Sequence, residues 1–155
     1  MPNGYLFDTV TCSRWRRGDP TLRTKVEALP ADAVIQTSVI TVGELTLGIH
    51  RAPEELKERL AQATRQMLGR FQAILEVTRD VAEQYGRIVA QVPPGQHIGQ
   101  NDYWIATIAL THDVVLITND PDFDRIPGLQ KEIGWGEARS VPPWCKIVER
   151  KILKR

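Results

Sequence analysis

The sequence is poor in cysteine and has no long apolar run, and each absence excludes a class of protein. Its only cysteines are Cys12 and Cys145, and neither has a second cysteine or a histidine at the spacing of a zinc site. We therefore expect neither a disulfide scaffold nor a structural zinc site, and this cysteine content fits a reducing cytosol. No segment approaches the roughly 18 apolar residues of a membrane span, and the first residues do not resemble a targeting segment. These absences predict a cytoplasmic protein with no membrane partner.

A surplus of charge of one sign is also missing from the chain as a whole. Its 155 residues include 20 basic and 19 acidic side chains, and 42% are apolar, as in an ordinary globular domain. Overall charge therefore points to no partner, and the length fits a single domain over residues 1–155. The distribution is uneven, because the tail at 146–155 sets five basic residues against Glu149 and carries about +4.

Short apolar runs alternate with helical patterns along the chain. This alternation predicts an α/β fold with a mostly parallel central sheet flanked by helices. We predict no position for a fifth strand, because the region after Gly128 is poorly periodic. The predicted strands cover residues 5–7, 33–37, 73–77 and 114–118.

Apolar residues at steps of three or four predict two amphipathic helices, at 53–71 and at about 80–89. The segment that begins at Asn101 is apolar nearly all round, so we expect its helix to lie in the interior. The apolar face of the first helix is predicted to consist of Leu56, Leu60, Ala63, Met67 and Phe71.

Four acidic side chains stand at positions where the fold does not require them. Asp8 ends the first predicted strand and Asp120 follows the fourth, and ligands bind at the carboxyl ends of strands in an open parallel sheet. Glu44 lies in an otherwise apolar helical segment. Asp102 opens the interior helix and shares a face with apolar residues, near a helix N-terminus whose dipole favours the ionised form. All four are candidates for one site.

Each acid taken alone also has a structural explanation. Asp120 followed by Pro121 is typical of a helix N-cap. Asp102 can serve the helix dipole, and Asp8 can cap the turn that follows it. Glu44 is harder to explain in this way, because an ionised side chain is almost never fully buried unless it is paired or coordinated.

If the four acids converge, their repulsion must be offset by positive charge. Two like charges about 4 Å apart repel by roughly 4 kcal/mol at an effective dielectric constant of about 20. No lysine or arginine that we expect to be buried stands near these motifs, so a divalent cation is the simplest source. Ligands that are all hard oxygens favour Mg²⁺ or Mn²⁺ over zinc. Such ions activate water for phosphodiester hydrolysis, so the pattern favours a metal-dependent nuclease.

The same motifs carry a resemblance to a known family. The segments "YLFDT", "TSVITVGELTLGI" and "GQNDYWIATIALTHDVVLITNDPDFDRIPGL" occur in order across residues 4–129. In these segments the chain resembles the PIN domain, and within it the VapC-type toxin ribonucleases. The last segment is the most specific, whereas "LFDT" alone would be weak evidence.

The resemblance implies a site, an activity and partners. Its acidic quartet falls on Asp8, Glu44, Asp102 and Asp120, which are expected to bind metal and act in catalysis, with Thr118 and Asn119 as supporting polar groups. The implied fold is a PIN-like α/β/α sandwich, and the implied activity is that of a Mg²⁺- or Mn²⁺-dependent endoribonuclease. The implied biology is the toxin of a type II toxin–antitoxin system, a homodimer with a VapB-like antitoxin, cutting structured RNA such as tRNA or ribosomal RNA.

One residue departs from the family's pattern and keeps a second hypothesis open. Val10 occupies the place of an asparagine that helps to order the acidic pocket in these toxins, although Thr9 or Thr11 can supply hydroxyl groups. The alternative is a catalytically silent PIN-like module that binds antitoxin or RNA. A phospho-acceptor signalling domain ranks last, because the sequence has no lysine at the end of a later strand to accompany Asp120.

Basic and aromatic residues soon after Asp8 form a candidate RNA contact. Trp15 is able to stack on a base, and the neighbouring arginines are able to hold phosphates. The competing interpretation is a solvated helix face with one anchoring tryptophan. The tail at 146–155 has the same two interpretations, as an RNA contact or as a solubilising terminus. The candidate residues are Arg14, Trp15, Arg16 and Arg17.

Overall fold

Five parallel strands form one sheet at the centre of the protein. The structure, a computed structural model, describes residues 4–136. The strands are β1 (Gly4–Phe7), β2 (Val34–Ser38), β3 (Ala73–Leu75), β4 (Val115–Ile117) and β5 (Lys131–Glu132). Their order in the sheet is β3-β2-β1-β4-β5, so β1 and β4 are adjacent although they are far apart in sequence. This adjacency brings the ends of the first and fourth strands together, as the sequence predicts.

Helices cover both faces of the sheet and complete the predicted α/β/α sandwich. They are α1 (Thr9–Arg16), α2 (Pro20–Glu27), α3 (Val39–Arg51), α4 (Glu54–Leu68), α5 (Arg79–Gln91) and α6 (Gln100–Thr111), with a 3₁₀ helix at Pro121–Arg125. Alternate residues of β1 and β4 point to opposite faces. Leu6 and Leu116 pack with α5 and α6, whereas Phe7 and Ile117 pack with α1, α2 and α4.

Helix α6 lies in the interior, as its composition predicts. Six of its twelve residues are buried, from Tyr103 to Ala109, so it has apolar neighbours on nearly every side. Such a helix cannot turn a polar face to water, and its position is fixed by packing. Asp102 in its first turn is thereby held at a defined place beside the sheet.

The face of the sheet that packs with α1, α2 and α4 contains a buried free thiol, that of Cys12. Cys12 is 0% exposed in the cluster around Phe7, with its Sγ atom 3.4 Å from Oγ1 of Thr37. Burial raises the pKa of this thiol, which therefore stays protonated. Cys12 is a free thiol among the described residues, and the second cysteine, Cys145, lies outside them.

Four details differ from the sequence predictions. Strand β3 is shorter than predicted, and β5 appears where no strand position was predicted. Helix α2 was not predicted, although Asp19 caps it and Pro20 occupies its first position. The predicted apolar face of α4 is partly wrong, because Leu56 is 40% exposed.

A buried threonine takes part of that face instead. Thr64 is 5% exposed, its hydroxyl donates to the Leu60 carbonyl at 2.7 Å, and it accepts from Arg16 at 3.0 Å. These bonds satisfy the hydroxyl, so its burial costs little. The packed face of α4 therefore includes Thr64 and leaves out Leu56, which differs from the face that apolar spacing predicts.

The prediction about membrane spans can be compared with the described residues, whereas the prediction about the basic tail cannot. Within residues 4–136 no helix combines the length and the apolar character that crossing a bilayer requires. The basic tail at 146–155 lies outside the described residues.

Candidate active site

Asp8 forms the buried base of the site at the carboxyl end of β1. It is 4% exposed and caps α1, because its Oδ1 accepts from the Thr11 amide at 2.8 Å and from the Thr11 hydroxyl at 2.5 Å. Its Oδ2 accepts from the hydroxyl of Thr118 at 2.5 Å. The predicted capping role is therefore real, and the carboxylate is held in one orientation by donors on both oxygens.

Thr118 joins Asp8 to the second strand-end acid. Its fully buried hydroxyl donates to Asp8 and accepts from the backbone amide of Asp120 at 3.0 Å. Asp120 in turn caps the 3₁₀ helix by accepting from the amide of Asp122 at 2.9 Å. Because Phe7 pairs with Ile117, the residues after them are side by side. Asp8 and Asp120 therefore lie at the same edge of the sheet, linked through Thr118.

Glu44 reaches the same end of the sheet from α3. It is half-buried, and its Oε1 accepts from the hydroxyl of Thr9 at 2.7 Å. Thr9 directly follows Asp8, and its hydroxyl also lies 3.2 Å from that of Thr41 on α3. The prediction that Glu44 points inward is confirmed, and Thr9 is the residue that ties it to the start of α1.

Asp102 completes the cluster from the first turn of α6. Burial raises the pKa of its carboxyl to about 7, and nearby carboxylates add to this shift. These carboxylates are, in decreasing order of effect, Asp120, Glu44, Asp8 and Asp122. Burial and repulsion thus set the direction of the shift, although Asp102 lies in the first turn of α6, where the helix dipole favours the ionised form.

The electrostatics of Asp8 are a balance of opposing effects. Burial raises the pKa of its carboxyl most strongly, hydrogen bonds from Thr11 and Thr118 lower it, and repulsion by Asp120 raises it again. The net direction is upward, mainly because the carboxyl is buried, and repulsion by Asp120 adds a smaller effect. All four predicted acids thus share one electrostatic environment, drawn from four separate elements.

The arrangement suits a hydrated cation better than a closed metal site. In the part of the chain that the structure describes, no three acidic, histidine or cysteine side chains form a preassembled metal site. Mg²⁺ commonly binds through one or two carboxylates and keeps several waters, so it does not need such a cage. The donors are all oxygens and carry surplus negative charge, so the chemistry of the set fits Mg²⁺ or Mn²⁺.

Val10 does not face the acids. It is half-buried and packs against the apolar cluster around Phe7. The hydroxyls of Thr9 and Thr11 contact Glu44 and Asp8 in its place. The sequence pattern suggested these threonines as substitutes, and the structure confirms both contacts.

The side chain of Asn119 bonds to the segment after β5, whereas the resemblance implies that it supports the acidic site. Its amide group donates to the Trp135 carbonyl at 3.0 Å and accepts from the Gly134 amide at 2.9 Å. Its bonds thus hold the segment after β5 against the end of β4, where the following residue is Asp120. The residue missed by sequence reasoning is Asp122, whose only signal was its position two residues after Asp120.

The predicted RNA-contact residues make contacts of their own, several of which lie within the fold. Arg14 pairs with Asp19 at 2.7 Å, and its guanidinium lies 4.5 Å from the ring centroid of Trp135. The ring of Trp15 lies 5.1 Å from those of Phe7 and Phe71. The contacts match the anchoring interpretation of Trp15. Arg16 donates to Thr64, and Arg17 is exposed. A role for these four residues in RNA binding stays a prediction.

Fold and site together define a family of small α/β domains with acids at the ends of parallel strands. The sequence profile described as PIN domain matches residues 5–129, and the chain belongs to the PIN domain family. Among its relatives, Ribonuclease VapC4 of Mycobacterium tuberculosis is 33% identical over 96 residues, which are 60% of this chain and 72% of the relative.

Solved structures support the same placement. VapBC2 of Rickettsia felis, bound to a DNA fragment from its promoter, superposes with a TM-score of 0.77 at 27% identity. DNA-bound VapBC of Salmonella typhimurium superposes with a TM-score of 0.75 at 26% identity. Each comparison covers 86% of this chain and 99% of the other. The recognised family and the predicted fold are therefore confirmed.

Proposed function

We propose that this protein is a divalent-metal-dependent endoribonuclease and the toxin of a VapBC-type toxin–antitoxin system. The observation that carries the proposal is the convergence of four carboxylates from four elements, visible in the pKa of Asp102, which burial and its acidic neighbours raise to about 7. A domain with a small energetic margin retains such repulsion where it is needed for function. Relatives named as VapC ribonucleases supply the reaction class.

The acidic quartet would hold the metal, with each member in a different setting. Asp8 is buried and oriented by Thr11 and Thr118, so it forms the fixed floor of the pocket. Glu44, Asp102 and Asp120 are half-buried and border the side from which a phosphate would approach. When bound, Mg²⁺ or Mn²⁺ supplies a water of lowered pKa and stabilises charge on the scissile phosphate.

The remaining residues of the site keep that floor rigid. Thr118 fixes the relative positions of Asp8 and Asp120 through two hydrogen bonds. Thr9 performs the same task for Glu44. Ligands already held by hydrogen bonds lose little conformational entropy when an ion binds, so this preorganisation favours metal binding.

The partners follow from the relatives and stay part of the proposal. The two solved relatives described above are VapBC assemblies, which supports a VapB-like antitoxin as the inhibitor of this protein. The acidic pocket is suited to a basic side chain from such a partner. A homodimer, a cytoplasmic location and a structured RNA substrate such as tRNA or ribosomal RNA belong to the same proposal.

The silent-module alternative is not favoured by any contact in the site. It was motivated by Val10, but that side chain packs into the core, and Thr9 and Thr11 supply polar groups to the acids. The four acids are all present, and Asp120, Glu44 and Asp8 lie close enough to Asp102 to raise the pKa of its carboxyl. We therefore retain the enzyme as the single proposal.

A cleavage assay with matched variants tests it. The purified protein is incubated with total RNA and increasing Mn²⁺ or Mg²⁺, and the 5′ ends of the fragments are mapped. We expect discrete cleavage that chelation abolishes and that Asp8→Asn, Asp102→Asn and Asp120→Asn each reduce by at least about a hundredfold.

Asp113→Asn is the matched control, since it makes the same chemical change at an exposed acid. Its backbone has a φ of 50°, which asparagine adopts readily, so folding should be preserved. Cleavage at the wild-type rate is expected for this variant. Fragments that persist in the quartet variants, or binding of RNA without cleavage at any metal concentration, would rule out the proposed enzyme.

A further inference from the structure

Three buried hydroxyl groups form a line that ends at Glu44. Ser38 caps α3 by accepting from the amide of Thr41 at 3.2 Å, and its hydroxyl lies 3.5 Å from that of Thr41. The Thr41 hydroxyl lies 3.2 Å from that of Thr9 on α1. Thr9 donates to Oε1 of Glu44 at 2.7 Å. All three side chains are buried, so the line runs through the interior from the end of β2 to one of the four acids.

Thr9 and Thr41 each lie in the first turn of a helix, and this position decides what their hydroxyl groups bind. Deeper in a helix, a threonine hydroxyl often donates to the carbonyl four residues earlier. Thr46 on α3, Thr64 on α4 and Thr107 on α6 all do so. In a first turn that carbonyl precedes the helix, so the hydroxyl stays available for a side chain on another element.

The number of protons fixes the direction of each hydrogen bond in the line. A hydroxyl group has one proton to donate and accepts at its oxygen. The proton of Thr9 goes to Glu44, so Thr9 accepts from Thr41 at their contact. The proton of Thr41 is then used, so Thr41 accepts from Ser38 in the longest of the three bonds. All three hydroxyls thus donate toward Glu44, and hydrogen bonds in such a chain strengthen one another.

The contact between Thr9 and Thr41 also joins two helices that bear acids of the site. Asp8 caps α1 and directly precedes Thr9, whereas Glu44 lies one turn after Thr41 on α3. Without the Thr41 hydroxyl, a buried oxygen of Thr9 would lose its donor, and Thr9 would be free to turn away from the carboxylate. The contact therefore influences both the direction of Glu44 and its spacing from Asp8.

We propose that Thr41 is a positioning residue of the acidic site, which fixes Glu44 for metal binding by donating to Thr9. The proposal rests on the proposed function, because it concerns how the same site holds its ion. It goes further by assigning a role to a residue that acts through another side chain. The affinity for Mn²⁺ should depend on Thr41 only while the Thr9 hydroxyl is present.

A double-mutant cycle on Mn²⁺ affinity tests this dependence. Isothermal titration calorimetry measures the Kd of wild type, Thr9→Val, Thr41→Val and the double variant. We expect Thr9→Val to weaken binding about tenfold and Thr41→Val about fivefold. Independent effects would multiply to about fiftyfold in the double variant, but we expect only about tenfold, because Thr41 then has no hydroxyl to hold. A loss of about fiftyfold, or unchanged affinity in Thr41→Val, would overturn the proposal.

Two further variants of α3 separate the hydroxyl group from side-chain shape and from helix stability. Thr41→Ser keeps the donor and removes a methyl group, so its Mn²⁺ affinity should stay within about twofold of wild type. Thr46→Val makes the matched substitution at an exposed threonine that donates to the Val42 carbonyl, and about the same affinity as wild type is expected. A serine variant as weak as Thr41→Val, or an equal loss in Thr46→Val, would contradict the role of the Thr41 hydroxyl.

Circular dichroism and thermal unfolding check that each variant is folded. If Thr41→Val does not fold, Thr41→Cys takes its place, because a thiol has a similar size and is a weak donor. This variant should weaken Mn²⁺ binding by about threefold. Wild-type affinity in a folded Thr41→Cys protein would overturn the proposal.

Kinetics on a cleaved RNA add a measurement that a purely structural role would not change. Thr41→Val should need several-fold more Mn²⁺ to reach half of its maximal kcat, while its KM for RNA stays within about twofold of wild type. The metal site is altered in this variant, whereas the contacts with RNA are not. A raised KM for RNA with an unchanged requirement for Mn²⁺ would overturn the proposal.

Failure of the positioning role and failure of the nuclease give different results. Cleavage by the wild type together with independent losses in the cycle leaves the nuclease standing and removes the role of Thr41. The expected cycle without cleavage at any metal concentration supports the role of Thr41 and removes the nuclease. A wild-type protein that binds no Mn²⁺ would overturn both, because the acids would then hold no ion.

Discussion

At the scale of single residues, hydroxyl groups decide where the carboxylates point. Thr118 is 0% exposed and bonds to Asp8 and to the backbone of Asp120, while Thr9 bonds to Glu44. The acids could be found from the sequence, since charges at strand ends and in apolar helices stand out. The partner of each hydroxyl group could not be predicted from the sequence. Threonine is common in strands and helices, and its hydrogen bonds depend on tertiary contacts.

Thr118→Val removes these bonds without changing the size of the side chain much. We expect it to weaken Mn²⁺ binding by about tenfold, because Asp8 loses one donor and the Asp120 backbone loses its acceptor. Isothermal titration calorimetry measures the affinity. Thr107→Val is the control, since Thr107 is equally buried and its hydroxyl donates to a backbone carbonyl, that of Tyr103 at 2.7 Å, rather than to a carboxylate. Equal metal affinity in wild type and Thr118→Val would contradict the orienting role.

The Asp102→Asn variant is expected to lose activity but to gain stability, and the gain in its free energy of unfolding should depend on pH. Burial and repulsion raise the pKa of Asp102 to about 7 in the folded protein, from an ordinary value of 3.8. A raised acid contributes stability below its unfolded pKa, and this contribution is lost as pH rises through the folded value. In EDTA at pH 8, we therefore expect the variant to be more stable than wild type by on the order of 2 kcal/mol, after allowance for partial exposure.

That advantage should shrink as the pH falls below about 7, where Asp102 becomes protonated in the folded wild type, and it should vanish well below 3.8, where Asp102 is protonated in both states. Thermal unfolding at a series of pH values measures it, and saturating Mg²⁺ should reverse the order at pH 8 by stabilising wild type alone. A wild-type protein as stable as the variant at pH 8 in EDTA would show that the acids do not repel one another as described.

At the scale of elements, the sequence predicted the parts that have strong periodicity. Helix α6 and the strands β1 and β4 were predictable because interior helices and parallel strands are nearly uniformly apolar. Helix α2 and strand β5 were not, because both are short and the second has only two residues, Lys131 and Glu132. Strand β5 forms by pairing with β4 and by tertiary contacts such as the bonds of Asn119 to Gly134 and Trp135, which leave no local pattern.

Gly134→Ala tests how tightly that segment fits against the sheet. A Cβ atom at residue 134 would lie 2.8 Å from the Cγ2 of Ile117 and 3.3 Å from the Cδ1 of Leu22. Overpacking of this kind costs about 1–3 kcal/mol, so we expect a lower free energy of unfolding in urea. Because Ile117 directly precedes Thr118, we also expect weaker Mn²⁺ binding.

Gly86→Ala makes the same substitution where space is open. Gly86 lies inside α5, and a Cβ atom there meets nothing within 4 Å. Alanine favours the helix over glycine by about 1 kcal/mol, so this variant should be more stable than wild type with unchanged metal affinity. If Gly134→Ala is as stable as wild type, the segment after β5 packs less closely than described.

At the scale of the whole molecule, the fold brings acidic side chains from distant sequence positions together at one end of the sheet. Asp8 and Asp120 are more than a hundred residues apart, yet the order β3-β2-β1-β4-β5 places their strands side by side. The fold class was predictable from the alternation of elements. The electrostatic cost of ionising these clustered acids was not predictable, because it depends on burial that only the tertiary structure determines.

A metal that relieves the repulsion should stabilise the entire domain. At about a hundred times its dissociation constant, Mn²⁺ adds about 2.7 kcal/mol to the free energy of unfolding, or a Tm increase of roughly 5–10 °C for a domain of this size. Differential scanning fluorimetry at pH 8 measures the increase. Asp8→Asn should show little of it, and an equal increase in that variant would place the ion elsewhere.

The burial of Cys12 in the apolar cluster around Phe7 has a practical consequence. A protonated sulfur without access to solvent reacts slowly with maleimides, so native protein that labels quickly must carry its dye at residue 145. That position lies next to Lys146, so the natural sequence offers a spectroscopic handle on the basic tail at 146–155 without any engineered cysteine.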